Sequence, residues 1–545
     1  MRKNRLNLTL LLALSFTAAP AADLVVPANA LVTFQFRDLS GLLTLWNASG
    51  VKAEWEKSIA ATILDRSRIA LKIKDLGSDL ESVLDRAPQL DLLAELGCGE
   101  TIFAVYDPGR REVLLAARVA PAGIELAKTV AAFPEKTHQG LVYRFKAARG
   151  EFGAGVAVSG DVLYVGTTER VLKAVAETLA KGGGWAPPPF LASRAADLKL
   201  DVDLANCRMS PYYRKYWIFG ETGELAGKAR LLLALRHDNP GWTEERLFLD
   251  PRADASLNPA LPAAFSVPGG AAPFWMIRKD PGLNDLVSLW AGGILKIPAA
   301  RRKDLTAAAR YEGAAFGTAR SEESDFDLSV DRPADPAAAG LPPGYRAPLD
   351  DLKDLLKRSD VTAVRWAWDL PKDTAAVPWH RQEGALALTL KAPPGDALAA
   401  FRKVLTRTLA AGYLCNAADV AWAPGDRKDT LRCTWPRPLL LSMPKAGVIA
   451  AATSPALLAK VEALLAAAPD TDLSAGLRFT EAGEKYVDYL TTVGLDPLTQ
   501  PESGYRLMED VIPSVREAAA GLEEIRKDRK AVPGGVVEVL RLGVR

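Results

Sequence analysis

Apolar residues recur along this chain with two different periods. In the segments 31–37, 101–107, 113–119, 141–146, 153–158, 162–166, 198–204, 230–236 and 246–249, short apolar runs rich in β-branched and aromatic residues are bounded by turn formers, which predicts strands. Asp107-Pro108-Gly109 and Ser159-Gly160-Asp161 leave room only for tight turns, so neighbouring strands should pair antiparallel. Elsewhere the spacing is three and four. Leu172, Val175 and Leu179 form the buried stripe of one helix, and Leu458, Val461 and Leu465 that of another. Thr167-Thr168 and Thr453-Ser454 stand just ahead of these stripes, where a hydroxyl can accept from the first free N–H groups. Strands and helices do not alternate one-to-one, so the expected class is α+β, with a mostly antiparallel sheet and helices packed on one face. The stretch 505–530 reads as a charged helix and 536–542 as a last strand.

The same order of elements is written twice. VPANALVTFQFRDLSGLLTLW, ending at Trp46, is answered by VPGGAAPFWMIRKDPGLNDLVSLW, ending at Trp290. LDLLAELGCGETIFAVYDP is answered by LDDLKDLLKRSDVTAVRWAWDLP, with Asp107 opposite Asp369. VLLAARVAPAGIELAKTV corresponds to LALTLKAPPGDALAAFRKVL, and DVLYVGTTERVLKAVAETLA to GVIAAATSPALLAKVEALLA. Four matches in one order predict two internally duplicated halves, 22–255 and 256–545. The joint falls in the Pro/Ala-rich stretch 250–268. Two further loops, 182–189 (GGGWAPPP) and 331–348, have the composition of mobile connections.

The N-terminus adds an address. Arg2, Lys3 and Arg5 precede an apolar run from Leu6 to about Ala19, closed by Ala19-Pro20-Ala21. That is the pattern of a cleaved signal peptide over 1–21, too short and wrongly flanked for a spanning helix. The expected location is therefore exported, periplasmic or extracellular, with no membrane span after cleavage. The chain has 68 basic and 66 acidic residues, a balance that provides no field for nucleic acid. An oxidising compartment permits a disulfide between Cys415 and Cys433, 18 positions apart around Pro424-Gly425-Asp426; two free thiols are the alternative. Closing so short a loop contributes about 3 kcal/mol. Cys98 and Cys207 have no evident partner.

Candidate chemistry is sparse. His138, His237 and His380 lack metal-ligand spacing, so no metal and no cofactor is expected. Ser49-Gly50-Val51-Lys52 matches S-x-x-K without the companion motifs of penicillin-binding enzymes. Asp325, Asp327, Ser329 and Asp331 alternate with Phe326, Leu328 and Val330, which describes a strand better than a calcium loop. Trp366, Trp368 and Trp379, and the group Tyr212, Tyr213, Tyr216 and Trp217, could stack against sugars, but burial in a sheet is the commoner use of such rings.

VPANALVTFQFRDLSGLL, the strand pair ARLLLALRHD and ERLFLD, and GDVLYVGTTERVLKAV resemble a family of large exported bacterial proteins carrying a domain of unknown function. That resemblance implies an exported α+β protein and supplies no catalytic residues. The expected role is a non-catalytic envelope protein that binds a protein or ligand partner. A peptide or glycan hydrolase and a structural envelope component are the alternatives.

Overall fold

The computed structural model describes residues 24–48, 68–84, 90–209, 227–238, 241–263, 265–267, 272–297, 347–369, 383–478 and 522–544. Residues 1–21, expected to be a signal peptide, together with Ser49 to Lys52, Tyr212 to Trp217, the Asp325 to Asp331 alternation, Trp379 and His380, lie outside them. The chain divides into two units, 1–260 with 532–537 and 261–531 with 538–545. Among the described residues no helix is long and apolar enough to cross a membrane.

The first unit contains strands β1 (Val32–Phe36), β2 (Thr101–Asp107), β3 (Glu112–Arg118), β4 (Glu135–His138), β5 (Leu141–Arg149), β6 (Phe152–Ser159), β7 (Val162–Thr168), β8 (Leu198–Asp203), β9 (Arg230–Asp238) and β10 (Gly241–Leu249). Its helices are α1 (Leu39–Ala48), α2 (Arg68–Leu84), α3 (Leu90–Glu95), α4 (Pro121–Val130), α5 (Glu169–Lys181), α6 (Pro189–Ala192) and α7 (Leu204–Met209). Every pairing is antiparallel, and the strands lie in the order β4-β5-β6-β7-β3-β2-β1-β8-β9-β10.

The second unit contains β11 (Phe274–Lys279), β12 (Val361–Asp369), β13 (Glu383–Leu390), β14 (Trp422–Pro424), β15 (Thr430–Cys433), β16 (Leu439–Lys445), β17 (Val448–Ala452), β18 (Leu473–Arg478) and nearly all of β19 (Leu522–Val532), whereas β20 (Gly535–Val544) is divided, its residues up to 537 belonging to the first unit and those from 538 to the second. Its helices are α8 (Leu283–Ser288), which runs on into a π-helical turn over Leu289–Ile294, α9 (Pro348–Arg358), α10 (Ala397–Tyr413) and α11 (Pro455–Ala463). The order is β14-β15-β16-β17-β13-β12-β11-β18, again antiparallel throughout. β19 follows on the outer side of β18.

The expectation of helices on one face is corrected. Along β3, Leu114 and Ala116 join α5 residues Val171, Leu172, Val175 and Ala176 in one core. Leu115 and Ala117 point the other way, into a core with Leu39 of α1 and Ala127 of α4. β13 divides likewise: Ala385 and Ala387 face Leu457, Leu458 and Val461 of α11, whereas Leu386 and Leu388 face α9 and α10. Both sheets are thus covered on both sides. The reason is written in the strands, since EVLLAAR and VIAAA are nearly unbroken apolar runs, the signature of strands buried on two faces.

The caps hold the helices where the sequence placed them. Thr168 Oγ1 accepts from Val171 N at 3.3 Å, and Ser454 Oγ from Leu457 N at 3.4 Å. The residue before each cap ties the strand to its neighbour. Thr167 Oγ1 accepts from Val113 N at 2.8 Å and donates to Arg111 O at 2.6 Å. Thr453 Oγ1 accepts from Gly384 N at 3.0 Å. A second correction concerns the expected helix over 505–530: from Leu522 onward the chain is β19, not helix. Its charged residues are paired with neighbours in the sheet. Asp528 takes Ser474 and Arg541, at 2.7 and 2.6 Å, and Lys527 meets Glu538 at 2.7 Å. Pairing of this kind overrides local helix propensity.

Candidate functional site

A cleft of about 490 Å³ opens in the first unit beside the C-terminal end of α5. Its apolar lining comes from Leu24, Val25, Ile102, Leu179 and Trp185. The loop expected to be mobile forms one wall and is anchored there: Trp185 N donates to Val26 O at 2.8 Å and its indole Nε1 to Asp201 at 2.9 Å. Asp201, itself buried, is held by Arg230 through two hydrogen bonds of 2.7 and 2.6 Å. Gly182 and Gly183, with φ of 71° and 81°, let the chain leave α5 and turn back along the sheet.

The floor is polar. Gln35 of β1, Glu100 before β2 and Arg118 at the end of β3 meet there. Gln35 Nε2 donates to Glu100 Oε1 at 3.2 Å, and Arg118 Nε to Glu100 Oε2 at 3.2 Å. Arg118 also reaches Asp161 at 3.0 Å, and these acids hold its guanidinium above its ordinary pKa against the opposing effect of burial. Lys199, opposite Gln35 across the β1–β8 ladder, is pushed the other way, since burial disfavours its charge. Gln35 Oε1 is buried and finds no hydrogen-bond partner among the described residues. Glu100, Arg118 and Asp161 satisfy one another, so the residues lining the cleft offer an apolar wall, an aromatic ring and amide polarity.

A second cavity, of about 470 Å³, lies in the second unit between β11 and the π-helical turn. Met276, Val364, Leu289 and Gly293 line it, with an Arg278–Asp285 ion pair of 2.8 Å. Gly293 is required there, because a Cβ would fall 2.1 Å from the Trp366 ring.

The sequence candidates are scattered. His138 meets Glu177 at 3.3 Å on the edge strand β4, and His237 packs against Trp242 in the β9–β10 hairpin. Among the described residues no three His, Cys, Asp or Glu side chains gather in a metal-binding group. Trp366 packs against the second unit's core, and Trp368 lies edge-on to Phe274 with 4.1 Å between ring centroids. All four cysteines are free thiols, Cys98, Cys207 and Cys433 buried and Cys415 half-buried. Burial pushes the Cys98 and Cys207 thiols up to about 11. The cleft residues Gln35, Glu100, Arg118 and Trp185 escaped sequence reasoning. Their one signal was a polar residue at an inward position of an apolar strand, as Gln35 is in VTFQF.

No family model matches the chain, and no curated protein matches it. Among solved structures it is similar to TP0453 in crystal form III, at 12% identity and a TM-score of 0.27, over 43% of this chain and 83% of that one. Crystal form I of TP0453 gives 12% identity and a TM-score of 0.26 over 43% and 81%. At such TM-scores the likeness carries no argument about fold or function.

Proposed function

We propose that this chain is an exported, non-catalytic binding protein built from two copies of one ancestral unit, which takes an uncharged ligand in the cleft of the first unit. The cleft carries the reading. Its volume is within the range of small-molecule sites, and an apolar wall with a few convergent polar groups is their usual lining. A charged ligand would surrender its hydration to a floor whose own charges are already paired, which is costly. The duplication reading rests on the four ordered sequence matches and on the parallel succession of strands and caps in the two units. Export rests on the cationic and apolar pattern before residue 22.

The ligand reading is tested by saturation-transfer NMR on the full mature chain with three probes of one skeleton: borneol, camphor and protonated bornylamine. The neutral probes should bind, the ammonium at least tenfold more weakly, and Thr178→Trp, which places a ring in the cleft mouth, should abolish the signal. Equal binding of all three, or binding that Thr178→Trp leaves unchanged, would overturn it. Export is tested by sequencing the N-terminus of the protein recovered from outside the cytoplasm; a chain retaining residues 1–21 counts against it.

A further inference from the structure

We infer that Cys415 and Cys433 are a modification site, a thiol pair that a disulfide-donating oxidant converts into a cross-link between the end of α10 and the β14–β15 hairpin. Placement carries the inference. Leu414 caps α10 in the left-handed region, at φ 56°, and Cys415 N closes on Ala410 O at 3.0 Å, so the chain turns back over the helix it has just left. A short turn capped by Asn416 follows. β14 then pairs with β15 so that Trp422 stands opposite Cys433. This path brings both cysteines into one apolar cluster: Cys433 is fully buried in it and Cys415 packs against it from outside. Burial pushes the Cys433 thiol up, and Cys415 adds to that effect. Cys98 and Cys207 sit buried in the first unit, in two separate cores.

The half-buried thiol is the point of entry. The Cys415 thiolate attacks a disulfide R–S–S–R, forming a mixed disulfide and releasing one R–SH. Cys433 then attacks the Cys415 sulfur and its proton passes to the departing R–S⁻, closing Cys415–Cys433 and releasing the second R–SH. Two protein thiols are oxidised and one reagent disulfide is reduced, so electrons and protons balance. Trp435 O, which Cys433 Sγ contacts at 2.9 Å, loses that contact in the process.

The test uses the purified full chain and oxidised glutathione, followed by thiol titration in denaturant and peptide mass mapping. Two of the four thiols should disappear, and the map should join the Cys415 and Cys433 peptides. The oxidised chain should melt about 5–10 °C above the reduced one in the transition of the second unit. Cys415→Ser should leave three thiols that form no internal cross-link. Persistence of all four thiols in the wild-type chain would overturn the proposal, as would consumption of Cys98 or Cys207 in place of the pair. The wild-type map decides the matter even should Cys415→Ser fail to fold.

Discussion

Beyond α5 the first unit leaves its cleft open, whereas beyond α11 the second unit draws the chain down onto its sheet. Arg365 of β12 donates to Leu464 O at 2.9 Å and Ala467 O at 3.5 Å, and to Thr389 at 3.2 Å on β13. Nearby, Arg526 lies over the rings of Phe265 and Trp275 and donates to Phe265 O at 2.6 Å. Counted along the ladders from Thr167 and Thr453, the places of Gln35, Glu100 and Arg118 are taken by Ile277, Ala363 and Thr389. One topology therefore yields a polar-floored cleft or a closed corner according to a few inward side chains. The difference teaches that the sheet sets the position of the corner, and that the second unit spans its corner with one long guanidinium bonded to two carbonyls at the end of the helix.

The largest effect should come from the buried carboxylates near these corners. Asp528 is fully buried among Arg526, Arg541 and Ser474. Asp528→Ala strands two cations and should destabilise the second unit by about 3–5 kcal/mol, read by urea unfolding. Asp201→Ala, which strands Arg230 and frees Trp185, should do the same to the first unit and loosen the cleft wall. A loss below ~1 kcal/mol in either would mean that these networks relax on mutation rather than hold their corners.

Arg365→Leu addresses the closed corner directly. It removes hydrogen bonds from a charged donor and should cost about 1–3 kcal/mol. Amide exchange around 464–467 should quicken; unchanged exchange there would show that packing, not Arg365, holds the chain down. The two caps give a finer comparison. Thr168→Ala and Ser454→Ala should each cost about 1 kcal/mol. Ser454 should lose somewhat more, since it also donates to Glu383 at 2.6 Å. A cost in one unit and none in the other would break the correspondence.

The smallest effect is electrostatic. Lys136, at 2.7 Å, leads the groups that hold the Glu169 carboxyl down to about 2, with Tyr143 and Lys173 also donating to it. Because the folded pKa lies below the unfolded value, this stabilisation is present above pH ~4.3 and is lost as pH falls toward 2. Solvent screening keeps it under about 1 kcal/mol. Glu169→Gln should flatten the stability of the first unit between pH 5 and pH 2; an unchanged slope would assign that pH dependence to other carboxylates.

Much of the fold was legible. Nine of the expected strands fall on β1–β3 and β5–β10 and the one over 536–542 on β20, and the Thr and Ser caps do what their position implied. Two-sided burial was not read from the sequence: the unbroken VLLAA and VIAAA runs fit it, but alternation elsewhere pointed to one covered face. The segment 522–530 misled because LEEIRKDRK has the composition of an exposed helix, and only pairing with β18 and β20 uses its alternating charges. The cleft left almost no trace, because Gln35 and Glu100 stand 65 positions apart and Glu100 and Arg118 another 18.

The sequence alone determined what acts over a few residues: the periods of strand and helix, the caps, the tight turns, and the order in which elements recur. These rest on backbone hydrogen bonding and side-chain direction within about four residues. Only the tertiary structure decided which strand faces were covered twice, where Trp185 was anchored, and which of two corresponding corners stayed open. Those outcomes depend on side chains brought together by pairing across long loops, where one residue such as Gln35 or Arg365 settles whether a space is lined or filled.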